Sequence, residues 1–287
     1  MENWGLLFAF AGVTGFALTL PATGLALAEL PVMLLGPGRV WPAAALALAV
    51  LLGMRSPLPG IRHWPGLLFT GCASGLVFPL LLTSALQVVP ASHAAVIFGA
   101  LPFVNALVAR LRHGEKSDAL FWVFSALGAL GVMHFAWQQH DHAVVRGDGL
   151  LIIALFVASA AYSEGTRLSV PLGSWQVISW SMVFAFPASM LFMPVFWQFP
   201  LHASWPAWLA YAYVATISQW LAYGCWYQGL KTAGFARAGQ LQLLQMFFSM
   251  AASALLLRET LALALWLHAV FVSVCLGLSL AVKSRRV

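Results

Sequence analysis

Charge is what this sequence has least of. Only 8% of its residues are Asp, Glu, Lys or Arg, while 62% are hydrophobic and the mean hydropathy is +0.89. A soluble domain carries about 25% charged residues. This composition cannot dress an aqueous surface, so the solvent is lipid. Cysteine is nearly as scarce. Cys72, Cys225 and Cys275 all lie in apolar runs, which excludes a disulfide framework and leaves small buried thiols. The eight acidic residues, Glu2, Glu29, Glu115, Asp118, Asp141, Asp148, Glu164 and Glu259, fall at the ends of apolar runs or between them. Proton-driven exporters of cationic drugs usually hold proton and drug on a carboxylate at membrane depth, and none is expected here. There is no Gly-rich phosphate loop, no His/Asp/Glu cluster at depth and no long insertion, all of which count against an intramembrane enzyme. No ring of like charge marks a channel. The triplet His140–Asp141–His142 stands in a loop without further ligand groups, so neither metal nor cofactor is expected. No stretch has the form of a cleavable leader: the run from Trp4 to about Ala28 is too long for a signal h-region and lacks a basic flank.

What is present is apolar length. A bilayer core takes about 20 residues per helix. Breaks at Gly, Pro and charge give ten spans, near 4–27, 30–53, 64–87, 91–111, 118–137, 147–168, 173–197, 205–230, 235–257 and 260–282. With the N-terminus inside, the inner loops receive Arg55, Arg62, Arg110, Arg112, Lys116, Arg167, Lys231, Arg237, Lys283, Arg285 and Arg286. The outer loops receive only Arg146 and Arg258, and Arg39 falls inside the second span, where snorkelling or a carbonyl partner is expected for it rather than substrate binding. This asymmetry is the positive-inside pattern. It places both termini in the cytoplasm and accounts for the net charge of +6 without nucleic acid.

A shift of 144 residues brings the halves into register. Gly5-Leu6-Leu7 falls on Gly149-Leu150-Leu151, Trp64 on Trp208, Ser84 on Gln228 and Glu115 on Glu259. The expected fold is therefore an all-α polytopic membrane protein of two five-helix repeats, 1–143 and 144–287. Five is odd, so the second repeat enters the membrane from the opposite side, the inverted plan of many secondary transporters. The stretch LPFVNALVARLRHGE at 101–115, with Pro102 thirteen residues before Gly114-Glu115, and LLLRE at 255–259 make the chain resemble the drug/metabolite transporter superfamily, EamA type. The second half departs from the pattern, with Met246 where the family often has proline and Arg258 in place of the glycine. Overall the chain is most similar to bacterial YddG-type amino-acid exporters.

Polar residues inside these spans show where a solute could pass. An unpartnered amide out of water costs roughly 2–7 kcal/mol, yet the ninth span holds Gln240, Gln242 and Gln245. At about 100° per residue, Gln242, Gln245, Ser249 and Ser253 share one stripe and Gln240 points elsewhere. Thr216, Gln219, Tyr223 and Tyr227 form a stripe on the eighth span. The sixth span offers Ser159, Tyr162 and Ser163, and the first half is sparser, with Thr14, Thr19, Thr83 and Asn105. Such groups either bond neighbouring helices or face a wet cavity. The resemblance implies a central cavity walled by the first, third, fourth, sixth, eighth and ninth spans, which are the spans carrying these residues. The expected substrate-binding set is Gln242, Gln245, Ser249, Gln219, Tyr223, Tyr227, Asn105, Phe98, Tyr162, Ser163 and Thr19. Pro79 and Pro102 are the expected hinges, freeing the carbonyls of Gly75 and Phe98, although kinks also serve packing alone. Mid-span His134 and His268 lie on the fifth and tenth spans, away from that cavity. The expected function is export of aromatic or other neutral amino acids, or similar small metabolites, across a bacterial inner membrane by alternating access, without an obligatory proton. Drug-like or nucleotide-sugar substrates are the alternative. The expected partners are a small solute and the bilayer; the oligomeric state is left open.

Overall fold

The computed structural model describes residues 2–113, 118–137, 142–192 and 202–284, and among them it is all helical. The chain begins with α1 (Glu2–Ala17) and α2 (Thr19–Leu27), then α3 (Val32–Leu35) and α4 (Val40–Gly53). α5 (Trp64–Cys72) runs through a π-helical turn, Ala73–Val77, into α6 (Phe78–Ala85). α7 (Ala91–Phe98), α8 (Leu101–His113) and α9 (Ala119–Trp137) complete the first half. The second contains α10 (His142–Leu172), α11 (Ser174–Ser189) and α12 (Trp205–Ala212). A second π-helical stretch, Tyr213–Leu221, joins α12 to α13 (Ala222–Ala233), followed by α14 (Phe235–Leu257) and α15 (Leu263–Ser284).

Among the described residues, five stretches are individually long and apolar enough to cross a bilayer: Trp4–Leu27, Ile61–Ala85, Ala119–Trp137, His142–Leu172 and Ser174–Phe192. α7 and α8 make a sixth if taken together across their 41° bend. Pro37–Gly53, Leu241–Leu257 and Leu263–Ser279 are apolar but shorter. The expected second span is interrupted: Gly36 leaves helical geometry at φ −86°, ψ −107°, and Pro37–Arg39 form a single 3-10 turn before α4. Outward faces are apolar, with Leu52, Leu130, Leu191 and Leu255 all exposed, as a lipid boundary requires.

Lipid is as apolar as leucine, so helices gain by close approach rather than by escaping water. α1 packs on α13, and a Cβ at Gly12 would come within 2.9 Å of the Trp226 main-chain nitrogen. Gly229 meets the Ala9 backbone from the other side, at 2.6 Å for the same imaginary Cβ. The elements repeat at the 144-residue offset. α9 starts at 119 and α15 at 263, and the π-helical turn at 73–77 maps into that at 213–221. The α1–α13 contact is answered by α10 against α6, and α1 on α14 by α10 on α8.

Candidate functional site

The two π-helical stretches meet inside the bundle. In a π-helix the amide of residue i+5 bonds the carbonyl of residue i, and Phe78 N–H accordingly donates to Ala73 O. The next amide would belong to Pro79, which has none. The freed carbonyl is thus Ser74's rather than the Gly75 carbonyl expected from α-helical counting. Gln219 Nε2 fills it at 3.0 Å. Alongside, Ser218 and Thr19 hydroxyls bond at 2.7 Å.

These groups border a narrow cavity of about 20 Å³, room for about one water. Its polar wall consists of Thr19, Arg39, Tyr162, Ser218, Gln219, Tyr223 and Gln245. Phe16, Phe78, Phe98 and Leu101 are among its apolar lining. The Phe16 and Tyr223 rings pack edge to face at 4.9 Å, Tyr162 and Tyr223 lie 5.6 Å apart, and Phe78 and Phe98 6.0 Å. Gln245 Oε1 is buried with no hydrogen-bond partner among the described residues.

Six of the eleven residues expected to bind substrate line this cavity: Thr19, Phe98, Tyr162, Gln219, Tyr223 and Gln245. Asn105 and Gln242 are buried outside its lining. Asn105 Nδ2 donates to Gln242 Oε1 at 3.1 Å, leaving Asn105 Oδ1 and Gln242 Nε2 uncommitted. The other three do not line it. Ser249 donates to Ala17 O at 2.6 Å and ties α14 to the end of α1. Tyr227 donates to Ala161 O at 3.3 Å, with its ring over Gly165, where any Cβ would collide with it. Ser163 is buried in α10. Thr14 is exposed, and Thr216 bonds back to Ala212 O on its own turn. Pro102 sits just after a real break: Gly99 and Ala100 separate α7 from α8 at the 41° bend. Gly99 lies there against Met246 of α14, 2.7 Å from its sulfur for an added Cβ.

Sequence reasoning missed two polar wall residues. Arg39 was visible as a cation within an apolar run. Ser218 was hidden by the π winding, which shifts which residues face inward. Two buried carboxylates were also placed at span ends without partners. Asp148 Oδ1 is 2.7 Å from His93 Nε2, with both side chains buried between α10 and α7. Glu164 receives Arg112 at 3.0 Å and Arg167 at 2.5 Å, tying α8 to α10. Glu259 accepts the Ala91 and Ser92 amides at 2.9 Å each, capping α7, and Glu29 accepts the Ser204 hydroxyl and amide just before α12. The Ser204 side chain and amide together hold the Glu29 carboxyl below its ordinary range. His134 and His268 bond each other at 3.3 Å on the exposed flank of α9 and α15. His140 and Asp141 lie outside the described residues, among which no group of three His, Cys, Asp or Glu could hold a metal.

The sequence model of the EamA-like transporter family matches this chain twice, over residues 3–137 and 145–281. A Bacillus subtilis (strain 168) protein described as "Uncharacterized transporter YdeK" is 37% identical over 277 residues, covering 95% of this chain and 96% of its own. "Uncharacterized transporter YdfC" of the same organism is 30% identical over 121 residues, 42% of this chain and 37% of its own. A solved crystal structure superposes with a TM-score of 0.71 at 15% identity, over 97% of this chain and 99% of that one.

Proposed function

The chain belongs to the EamA-like transporter family, and from that premise we propose that it exports a neutral amino acid or similar small polar metabolite across a bacterial inner membrane by alternating access. Its family and curated relative are transporters, so it is not an enzyme but a multi-pass membrane protein with a small-molecule substrate. The observation that carries the finer reading is the cavity between the π-helical turns. Its wall mixes aromatic faces with neutral donors and acceptors, and Gln245 Oε1 is left uncommitted. Glutamine and asparagine offer both donor and acceptor without fixed charge, which suits a solute that must be bound and released. At about 20 Å³ the cavity is closed around less than an amino acid, so loading requires the helices to part.

Ten spans in two inverted five-helix repeats, 1–143 and 144–287, best explain the doubled family match and the 144-residue offset between corresponding elements. Among the described residues no Asp or Glu lies in the cavity wall, which supports transport without an obligatory proton. Drug-like or nucleotide-sugar solutes are the alternative.

The test is counterflow in proteoliposomes. Vesicles preloaded with single amino acids, nucleotide sugars or cationic drugs should accumulate labelled solute only for amino-acid-like members, and should do so with the pH gradient collapsed. Accumulation confined to another group, or its loss without the gradient, overturns the corresponding part. Topology has its own expected result. Single cysteines placed near position 3 and after 285 should both resist impermeant thiol reagents in intact cells. Labelling at only one of them requires an odd number of spans and sinks the repeat plan.

A further inference from the structure

Arg39 is 1% exposed and borders the cavity, yet it has no counter-ion among the described residues. Its Nε donates to Leu35 O at 2.6 Å, and its Nη2 reaches Thr23 Oγ1 only at 3.4 Å. A guanidinium carries five N–H groups and stays protonated in proteins. Three are therefore left without a protein acceptor among the described residues. The ion pairs there, His93–Asp148, Arg112–Glu164 and Arg167–Glu164, involve other residues. Taking such an ion out of water costs several kcal/mol unless something compensates it.

The backbone around this spot adds positive potential rather than neutralising the charge. The helix breaks at Gly36, the Tyr211 hydroxyl bonds Gly38 O at 3.1 Å, and α4 restarts at Val40 immediately after Arg39. The start of α4 thus adds the positive end of a helix dipole beside the guanidinium. Interrupted helices in transporters present such ends to anionic groups of the substrate.

We propose that Arg39 is the docking point for a carboxylate carried by the transported solute. This rests on the transport reading above and narrows it to carboxylate-bearing substrates. The planar fork of arginine accepts a carboxylate through two parallel N–H···O bonds. Arg39 is the single charged residue in the described wall, so one carboxylate neutralises the site. A cationic drug is repelled by it, and a diphosphate brings more negative charge than it can balance. The ammonium of an amino acid finds its acceptors in Gln245 Oε1 and in the Thr19 and Ser218 hydroxyls.

The experiment pairs solutes that differ in the acid alone: L-phenylalanine with its amide, and 3-phenylpropionate with 3-phenylpropionamide. Melting of the purified protein in detergent, at fixed ionic strength, should rise with each acid and not with its amide. The half-saturating concentrations should differ at least tenfold. Arg39→Lys should keep the preference at weaker affinity, and Arg39→Met should abolish it. The wild-type comparison stands even if Arg39→Met fails to fold. Equal effects of acid and amide on the wild type, or an undiminished acid effect in a folded Arg39→Met protein, overturn the assignment. Counterflow with the same pairs separates the two ideas. Flux of acid and amide alike overturns the Arg39 site and leaves transport standing. Acid-specific stabilisation without flux of any solute upholds the site and overturns the transport reading.

Discussion

Asp148→Leu is expected to lower stability by about 3 kcal/mol. A buried polar group stripped of its partner costs ~1–3 kcal/mol, and ~3–5 kcal/mol where the broken pair is ionic. Asp148 and His93 meet at 2.7 Å between α10 and α7, and the His93 ring lies 4.6 Å from that of Phe135. Asp148→Leu leaves the imidazole in an apolar site with no carboxylate. His93→Leu does the reverse and strands a carboxylate whose second oxygen, Oδ2, already lacks a partner among the described residues. Replacing both removes the mismatch. A double-mutant cycle of unfolding in detergent should show the pair of changes costing at least ~1.5 kcal/mol less than the sum of the singles. Additive losses would mean that the two side chains act independently.

That pair also shows how far the sequence could be read. Asp148 is expected at the start of a span, whereas α10 begins at His142 and holds it buried within the helix, and its partner lies 55 positions away, a relation no local pattern encodes. The helical class, the lipid solvent and the 144-residue offset were legible because each is a property of long stretches, averaged over many residues. On the regular helix α14 the 100° rule puts Gln245 on the wall, but it groups with it Gln242 and Ser249, which bond to Asn105 and Ala17 outside the lining. The rule failed at Tyr213–Leu221, where π winding brings Ser218 to the wall. It failed again at Pro79, where the carbonyl made available is one residue earlier than α-helical counting gives. Both misses have one cause, since sequence periodicity assumes a helix type that backbone strain and missing amides can change. The offset itself carries a clue. Gln242 and Gln245 correspond to Phe98 and Leu101 at 144 residues' distance. One half therefore supplies amides where the other supplies apolar contact, and Phe98, Leu101 and Gln245 all reach the same cavity. At that position a bound solute meets an amide from one half and apolar side chains from the other, while Arg39 and Thr19 of the first half supply polar groups elsewhere in the wall.

Gln245→Leu follows from that asymmetry. Flux should fall about tenfold, the worth of roughly 1.4 kcal/mol of hydrogen bonding to the solute. Stability should hold or rise, since leucine removes a buried acceptor that has no partner among the described residues. Ser249→Ala is the contrasting change. Ser249 shares the sequence stripe but donates to Ala17 O, so its loss should cost about 1 kcal/mol of stability and leave flux per folded molecule unchanged. Gln242→Leu falls between the two, because it breaks the bond from Asn105 while lying outside the cavity lining. It should lower both quantities, each by less than the leading change in its class. Flux per folded molecule in proteoliposomes and melting in detergent, measured on the three variants together, decide the matter. If Gln245→Leu weakens the fold and spares flux while Ser249→Ala does the opposite, the amide wall is packing and the solute passes elsewhere.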